Sequence, residues 1–172
     1  MSSEHGRAPK GFGDLLQANA DYAAHFDLHG FDGVANAGVA MVTCMDSRID
    51  PLTMIGLRAG DAKILRNPGG RVTDAILAGV VLAVNLLGVD RVLVVQHTRC
   101  AVASASEEEF HRRLTESTGI DSSWMTVPVV TDPERTLRDD VTRVRTHPLV
   151  PAGVQTGGFV YDVDTGRLNQ LV

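Results

Sequence analysis

The chain has two cysteines, Cys44 and Cys100, and His97 stands three residues before the second. Two thiolates and one imidazole are a recognised zinc set, and three protein ligands leave a fourth position open, as a catalytic zinc requires. Soft sulfur donors disfavour Mg²⁺ and Ca²⁺. On residue type alone the same three admit other readings. Free cysteines are often inert core residues. A redox dithiol would more usually be a Cys-x-x-Cys pair, and a structural zinc would need a fourth protein ligand. Two residues after Cys44 comes Asp46, and two further on Arg48. An arginine can grip a carboxylate bidentately and keep it ionised; otherwise the pair is a surface salt bridge. Asn67, Gly69 and Gly70 form a third cluster. Its glycines permit positive φ and close backbone approach to a ligand, or simply a tight turn.

These residues need elements to bring them together. Gly38 to Cys44, Ala62 to Leu65 and Arg91 to Gln96 are apolar runs with β-branched members. Runs apolar on both faces suit a parallel sheet covered on both sides. Cys44 then ends one strand, and His97 lies just past the end of another, at the edge of an α/β sheet where sites form. Thr73 to Leu87 reads as the intervening helix, with Thr73 as N-cap, Asp74 at its positive end and Gly88 as stop. Ser106 caps an acidic helix start running to about Ser117, with Gly119 as stop. Asp132-Pro133 opens a further helix that ends before Pro148. Gly158 to Asp162 and Arg167 to Leu171 flank Asp164-Thr165-Gly166 as a hairpin, an antiparallel addition at the sheet edge. Near the N-terminus, Asp14 to Phe26 reads as an amphipathic helix with Leu15, Leu16, Tyr22 and Phe26 near one stripe. It follows a flexible tail over residues 1–13, and residues 14–172 read as a single domain.

The 172 residues carry 16 Lys and Arg against 21 Asp and Glu, a net charge of −5. That balance offers no footprint for nucleic acid or an anionic membrane. The longest apolar run, Ile76 to Val89, is too short for a membrane span, and the first residues lack the apolar stretch of a signal peptide. The chain therefore reads as soluble and cytoplasmic.

The quoted residues carry a family resemblance. Cys44-Met45-Asp46-Ser47-Arg48 resembles the Cys-x-Asp-Ser/Ala-Arg motif of the β-class carbonic anhydrases, and His97-Thr98-Arg99-Cys100 resembles their His-Thr-x-Cys motif. Arg66-Asn67-Pro68-Gly69-Gly70 is similar to their Arg-Asn-Ala-Gly stretch, and Asn19-x-x-Tyr22-Ala23 to their N-terminal helix. The likeness runs from about Asp14 to the C-terminus and is to the compact, short-chain members. It implies a parallel-cored β-sheet flanked by helices with an antiparallel C-terminal edge. It implies one Zn²⁺ per chain on Cys44, His97 and Cys100, with Asp46 and Arg48 as the catalytic dyad. Asn67, Gly69, Gly70 and Ala101 would bound the substrate pocket. The implied reaction is reversible hydration of carbon dioxide to bicarbonate and a proton by zinc-bound hydroxide, oriented by the dyad. In a closed state Asp46 would instead become the fourth zinc ligand, and activity would rise with pH as it leaves. The family self-associates, which implies a homodimer or tetramer whose N-terminal helix embraces a partner.

Three positions depart from the family pattern. Ala101 replaces the usual Gly and adds a Cβ beside the pocket; Arg99 stands where Asp is common; Pro68 replaces Ala. Arg99 is also a feature of relatives that hydrolyse carbonyl sulfide. A carbonyl sulfide or carbon disulfide hydrolase on the same fold is therefore the alternative, followed by a catalytically silent zinc scaffold. No Gly-x-Gly-x-x-Gly follows a strand, which disfavours a dinucleotide enzyme.

Overall fold

A computed structural model describes residues 11–172. The chain divides into two compact units, Met1–Asp32 and Gly33–Val172. Most of the expected tail, residues 1–10, lies outside the described residues. In the first unit, α1 (Gly13–Ala23) begins one residue earlier than expected and stops three residues short of Phe26. After Ala23 the chain turns, and the Phe26 ring folds against Tyr22 and edge-on against His29, with centroids 5.8 and 5.2 Å apart. No residue of α1 is buried.

The second unit holds a five-stranded sheet in the order β2-β1-β3-β4-β5. The strands are β1 (Val39–Cys44), β2 (Ala62–Asn67), β3 (Arg91–His97), β4 (Gln155–Tyr161) and β5 (Leu168–Gln170). β1 pairs in parallel with both β2 and β3, and every one of its residues is buried. Its unbroken apolar run has that cause: a central strand covered on both faces has no wet side to place polar residues on.

Two strand assignments are corrected. β3 extends to His97, so the histidine is the last strand residue rather than the first beyond it. β4 begins at Gln155 and runs parallel to β3 through seven paired residues; only β5 is antiparallel. The hairpin chemistry of Asp164-Thr165-Gly166 is real, but its first arm belongs to the parallel core. The start of β4 escapes recognition because Gly157 and Gly158 interrupt its apolar pattern. The Cβ that a side chain would add at Gly158 falls 2.9 Å from Val141 Cγ2 and 3.0 Å from Leu137 Cγ. The glycine lets a helix approach the strand closely.

Helices α2 (Asp74–Leu86), α3 (Glu107–Thr118) and α4 (Pro133–Arg145) follow the expected caps within a residue. Ser106 and Asp132 accept from Glu109 N and Arg135 N. Thr73 occupies its N-cap position without a side-chain cap bond. The main core joins Ile76, Leu77, Val80 and Ala83 of α2 and Leu137, Val141 and Val144 of α4 to Ala40, Val42, Val92 and Val94 of the sheet. Among the described residues no helix is long and apolar enough to cross a membrane.

Candidate metal centre

β1 and β3 lie side by side in parallel, so their carboxyl ends deliver Cys44 and His97 to one edge of the sheet. Cys100 follows three residues beyond β3, immediately before a 3₁₀ turn at Ala101–Ala103. The Cys44 and Cys100 sulfurs are 3.9 Å apart, and both lie within 4.8 Å of a ring nitrogen of His97. Two sulfurs on a tetrahedral zinc, each about 2.3 Å from the metal, would be about 3.8 Å apart. His97 Nδ1–H donates to the Thr98 carbonyl at 2.9 Å. That contact assigns the proton to Nδ1 and leaves Nε2 as the lone-pair donor. Nε2 is buried and has no hydrogen-bond partner. A buried orphan nitrogen beside two sulfurs at tetrahedral spacing fits a zinc ion, and the residues expected to hold one are those brought together.

The two thiols differ. Cys44 is 4 % exposed. The hydrogen bond from Cys100 draws its pKa down to about 4 against the opposing effect of burial, with help from His97 and the Asp46 and Gly69 backbone. The same bond, with burial, pushes Cys100 up. The contact thus favours thiolate at Cys44 and thiol at Cys100, and binding a metal would require both to be deprotonated. Burial disfavours charge on His97, yet Cys44 and the Thr98 carbonyl hold its pKa above the ordinary value.

Asp46 and Arg48 form a bidentate pair. Arg48 Nε donates to Asp46 Oδ1 at 2.9 Å and Nη2 to Oδ2 at 2.7 Å, while the Arg48 backbone N–H donates to Oδ1 at 2.9 Å. These bonds hold the Asp46 carboxyl well below the usual carboxylate range. Its Oδ2 lies 3.8 Å from His97 Nε2. Asp46 therefore sits beside the donor cluster, gripped by Arg48.

The glycine stretch has two jobs here. Gly69 and Gly70 have φ of +79° and +63°. A Cβ on Gly70 would fall 2.8 Å from Val95 O and 2.9 Å from Cys44 N, so the close approach is to the sheet backbone. Gly69 N–H donates to Cys44 Sγ at 3.3 Å. Asn67 braces the turn, its amide bonding both backbone groups of Arg71 at 2.8 Å. Ala101 opens the 3₁₀ turn and is exposed. Arg99 does not present a free cation, because its guanidinium is paired with Asp164.

Two arginines make contacts that no motif shows. Arg66 donates to three carbonyls of the loop after β1: Cys44 at 2.9 Å, Asp46 at 2.6 Å and Ile49 at 3.3 Å. Arg71 reaches Asp140 on α4 at 2.8 Å, a carboxylate 3 % exposed. Arg66 was visible as part of the Arg-Asn-Pro-Gly-Gly stretch, but its carbonyl partners lie 17 to 22 residues away. Asp140 looks like any other charged helix position.

A mostly parallel sheet with flanking helices and a Cys₂His cluster at its carboxyl edge defines a β-carbonic anhydrase type of protein. The family model for carbonic anhydrase matches residues 39–132. Beta-carbonic anhydrase 1 of Mycobacterium tuberculosis (strain ATCC 25618 / H37Rv) is 32% identical over 162 residues, covering 92% of this chain and 96% of the relative. The crystal structure of carbonic anhydrase from Streptococcus mutans is 34% identical with a TM-score of 0.86, over 96% of this chain and 100% of that one. A carbon disulfide hydrolase of Acidianus sp. (strain A1-3) is 30% identical over 164 residues, 80% of each chain. The chain belongs to the β-class carbonic anhydrase family.

Proposed function

We propose that the protein catalyses reversible hydration of carbon dioxide to bicarbonate and a proton, using one zinc per chain held by Cys44, His97 and Cys100. The observation that carries this reading is the Arg48-gripped carboxylate of Asp46 beside a three-donor cluster whose His97 Nε2 has no hydrogen-bond partner. A purely structural zinc has no use for such a pair. When bound, zinc supplies a Lewis acid that makes water nucleophilic near neutral pH. Two thiolates would cancel the +2 charge of a bound zinc, so the surrounding residues would carry more of the orienting work. Asp46 accepts a hydrogen bond from the attacking water and aims its lone pair at carbon dioxide. Arg48 keeps Asp46 ionised and held to itself; were that grip released, Asp46 would be free to help hold the metal. Gly69, through its N–H to Cys44 Sγ, steadies the thiolate, and Asn67 steadies the turn. Gly70 and Ala101 bound the pocket.

We place the active form in a homodimer or tetramer. The support is α1, which buries none of its residues and leaves Leu15, Leu16 and Tyr22 exposed. Thiol ligands that must stay reduced favour the cytoplasm. Residues 14–172 are read as the catalytic domain.

The test is stopped-flow hydration of carbon dioxide on protein of measured zinc content across about pH 6.5–9, the range around a zinc-water titration. Zinc-dependent turnover that climbs with pH is expected. The similarity to carbon disulfide hydrolases favours a second reading, in which the same residues direct water at carbon disulfide or carbonyl sulfide. Sulfide release from either substrate, with no carbon dioxide turnover at one zinc per chain, would establish that reading instead.

A further inference from the structure

Arg99 is the only non-glycine among the described residues with a positive φ, at 54°. Left-handed backbone is disfavoured for a branched, bulky or charged side chain and persists where the surroundings impose it. Here it turns the Arg99 carbonyl toward Arg48, whose Nη2 donates to it at 3.2 Å. That same nitrogen donates to Asp46 Oδ2 at 2.7 Å. Arg48 is therefore held from both sides, by the carboxylate it grips and by a carbonyl on the loop after β3.

The opposite side of that loop is tied to the turn between β4 and β5. The Arg99 guanidinium pairs with Asp164. Thr98 N–H donates to the Tyr161 carbonyl at 2.9 Å, and Val163 N–H donates to Thr98 Oγ1 at 3.1 Å. Asp164 is itself oriented by its N–H to Asp162 Oδ1 at 2.9 Å. A chain of contacts runs from the sheet edge through Asp164 and Arg99 to Arg48 and Asp46.

We propose that Arg99 is a positioning residue for the Asp46–Arg48 pair, anchored by Asp164 in the β4–β5 turn. Its effect on turnover rests on the dyad reading above; its effect on Arg48 does not. Arg99 and Asp164 are 61 % and 60 % exposed. An exposed pair adds little to global stability, so removing it loosens the Arg48 contact without unfolding the chain.

The experiment uses the full-length zinc-loaded protein labelled with ¹⁵N-arginine, the Arg48 Nε–H signal being identified by its loss in Arg48→Lys. Asp164→Ala is expected to speed hydrogen exchange at Arg48 Nε–H about fivefold, within the coupling seen for residues in one network. Arg99→Ala should do the same, the double variant no more than either alone, and Arg99→Lys should restore most of the protection. Zinc stoichiometry should stay at one per chain. Turnover of carbon dioxide should fall by a similar factor, and the fall should vanish in an Arg48→Lys background. Unchanged exchange in both single variants would overturn the proposal, as would losses that add in full to that of Arg48→Lys. Faster exchange in a protein that hydrates no carbon dioxide would strike the catalytic reading and leave the positioning role standing.

Discussion

The loops after β1 and β3 each deliver a cysteine to the same cluster, yet they are held by different means. The first loop is fastened from within. Cys44 is the last residue of a fully buried strand, Arg66 takes three of the loop's carbonyls, and Gly69 donates to the sulfur. The second loop is fastened from outside. Cys100 lies off the strand end, and the residue before it is tied through an exposed ion pair to the β4–β5 turn. The sulfur chemistry follows, with Cys44 drawn toward thiolate and Cys100 pushed toward thiol. One cysteine is thus preorganised by the core, while the other depends on a turn distant in sequence.

Substitutions in the two loops put that contrast to the test. The largest effect falls on the ligands themselves: Cys44→Ser, His97→Ala and Cys100→Ser should each lose stoichiometric zinc by elemental analysis, with carbon dioxide turnover down by more than about a hundredfold. Zinc retained at one per chain in any of the three would refute that ligand. Asp46→Asn should keep zinc and lose about a hundredfold in kcat/KM, the scale of a positioned proton-handling group; an unimpaired variant would remove Asp46 from the dyad.

Two further changes probe the inner fastening through stability. Gly70→Ala places a Cβ against the Cys44 and Val95 backbone at a positive φ, and should cost about 3 kcal/mol, a fall in Tm of about 6–12 °C. Arg66→Met removes three carbonyl bonds, and should cost about 2 kcal/mol, or about 4–8 °C. Arg99→Ala in the outer fastening should move Tm by about 4 °C or less, since an exposed pair is worth at most about 1 kcal/mol. Calorimetry that ranked Arg99→Ala above Arg66→Met would reverse the comparison. The smallest effect is expected at Ala101→Gly. Ala101 is exposed, so the change in turnover should stay within about twofold, the scale of a surface substitution. A larger rise would show the extra methyl obstructing the pocket.

Much of this arrangement was legible before any coordinates. Cys44, Asp46 and Arg48 lie within five residues at a strand end, and His97 and Cys100 within four, so local spacing already sets each half of the site. β1 and β3 were readable because a strand buried on both faces must be continuously apolar. β4 is legible only from Gly158 on and only as a hairpin arm, because Gly158 answers to α4 and the parallel partner strand lies some 64 residues away. Thr73 looked like a side-chain cap and is not one, since capping depends on a rotamer as well as on a residue type. The sequence of α1 reads as amphipathic, but no residue of it is buried, so its pattern alone does not place its apolar face.

The short motifs were enough to single out the three donor residues and the Asp46–Arg48 pair, and strand patterning the class of sheet, because each depends on neighbours within a few positions or on a strand's burial as a whole. Tertiary structure alone decided that His97 Nε2 is the free nitrogen, that Arg66 binds the first loop and Arg71 the helix behind the turn, and that Arg99 turns its carbonyl to Arg48 while its side chain faces Asp164. Each of those is a directional contact between groups separated by many residues. A hydrogen bond selects by distance and angle, and those are set only once the strands have found their register.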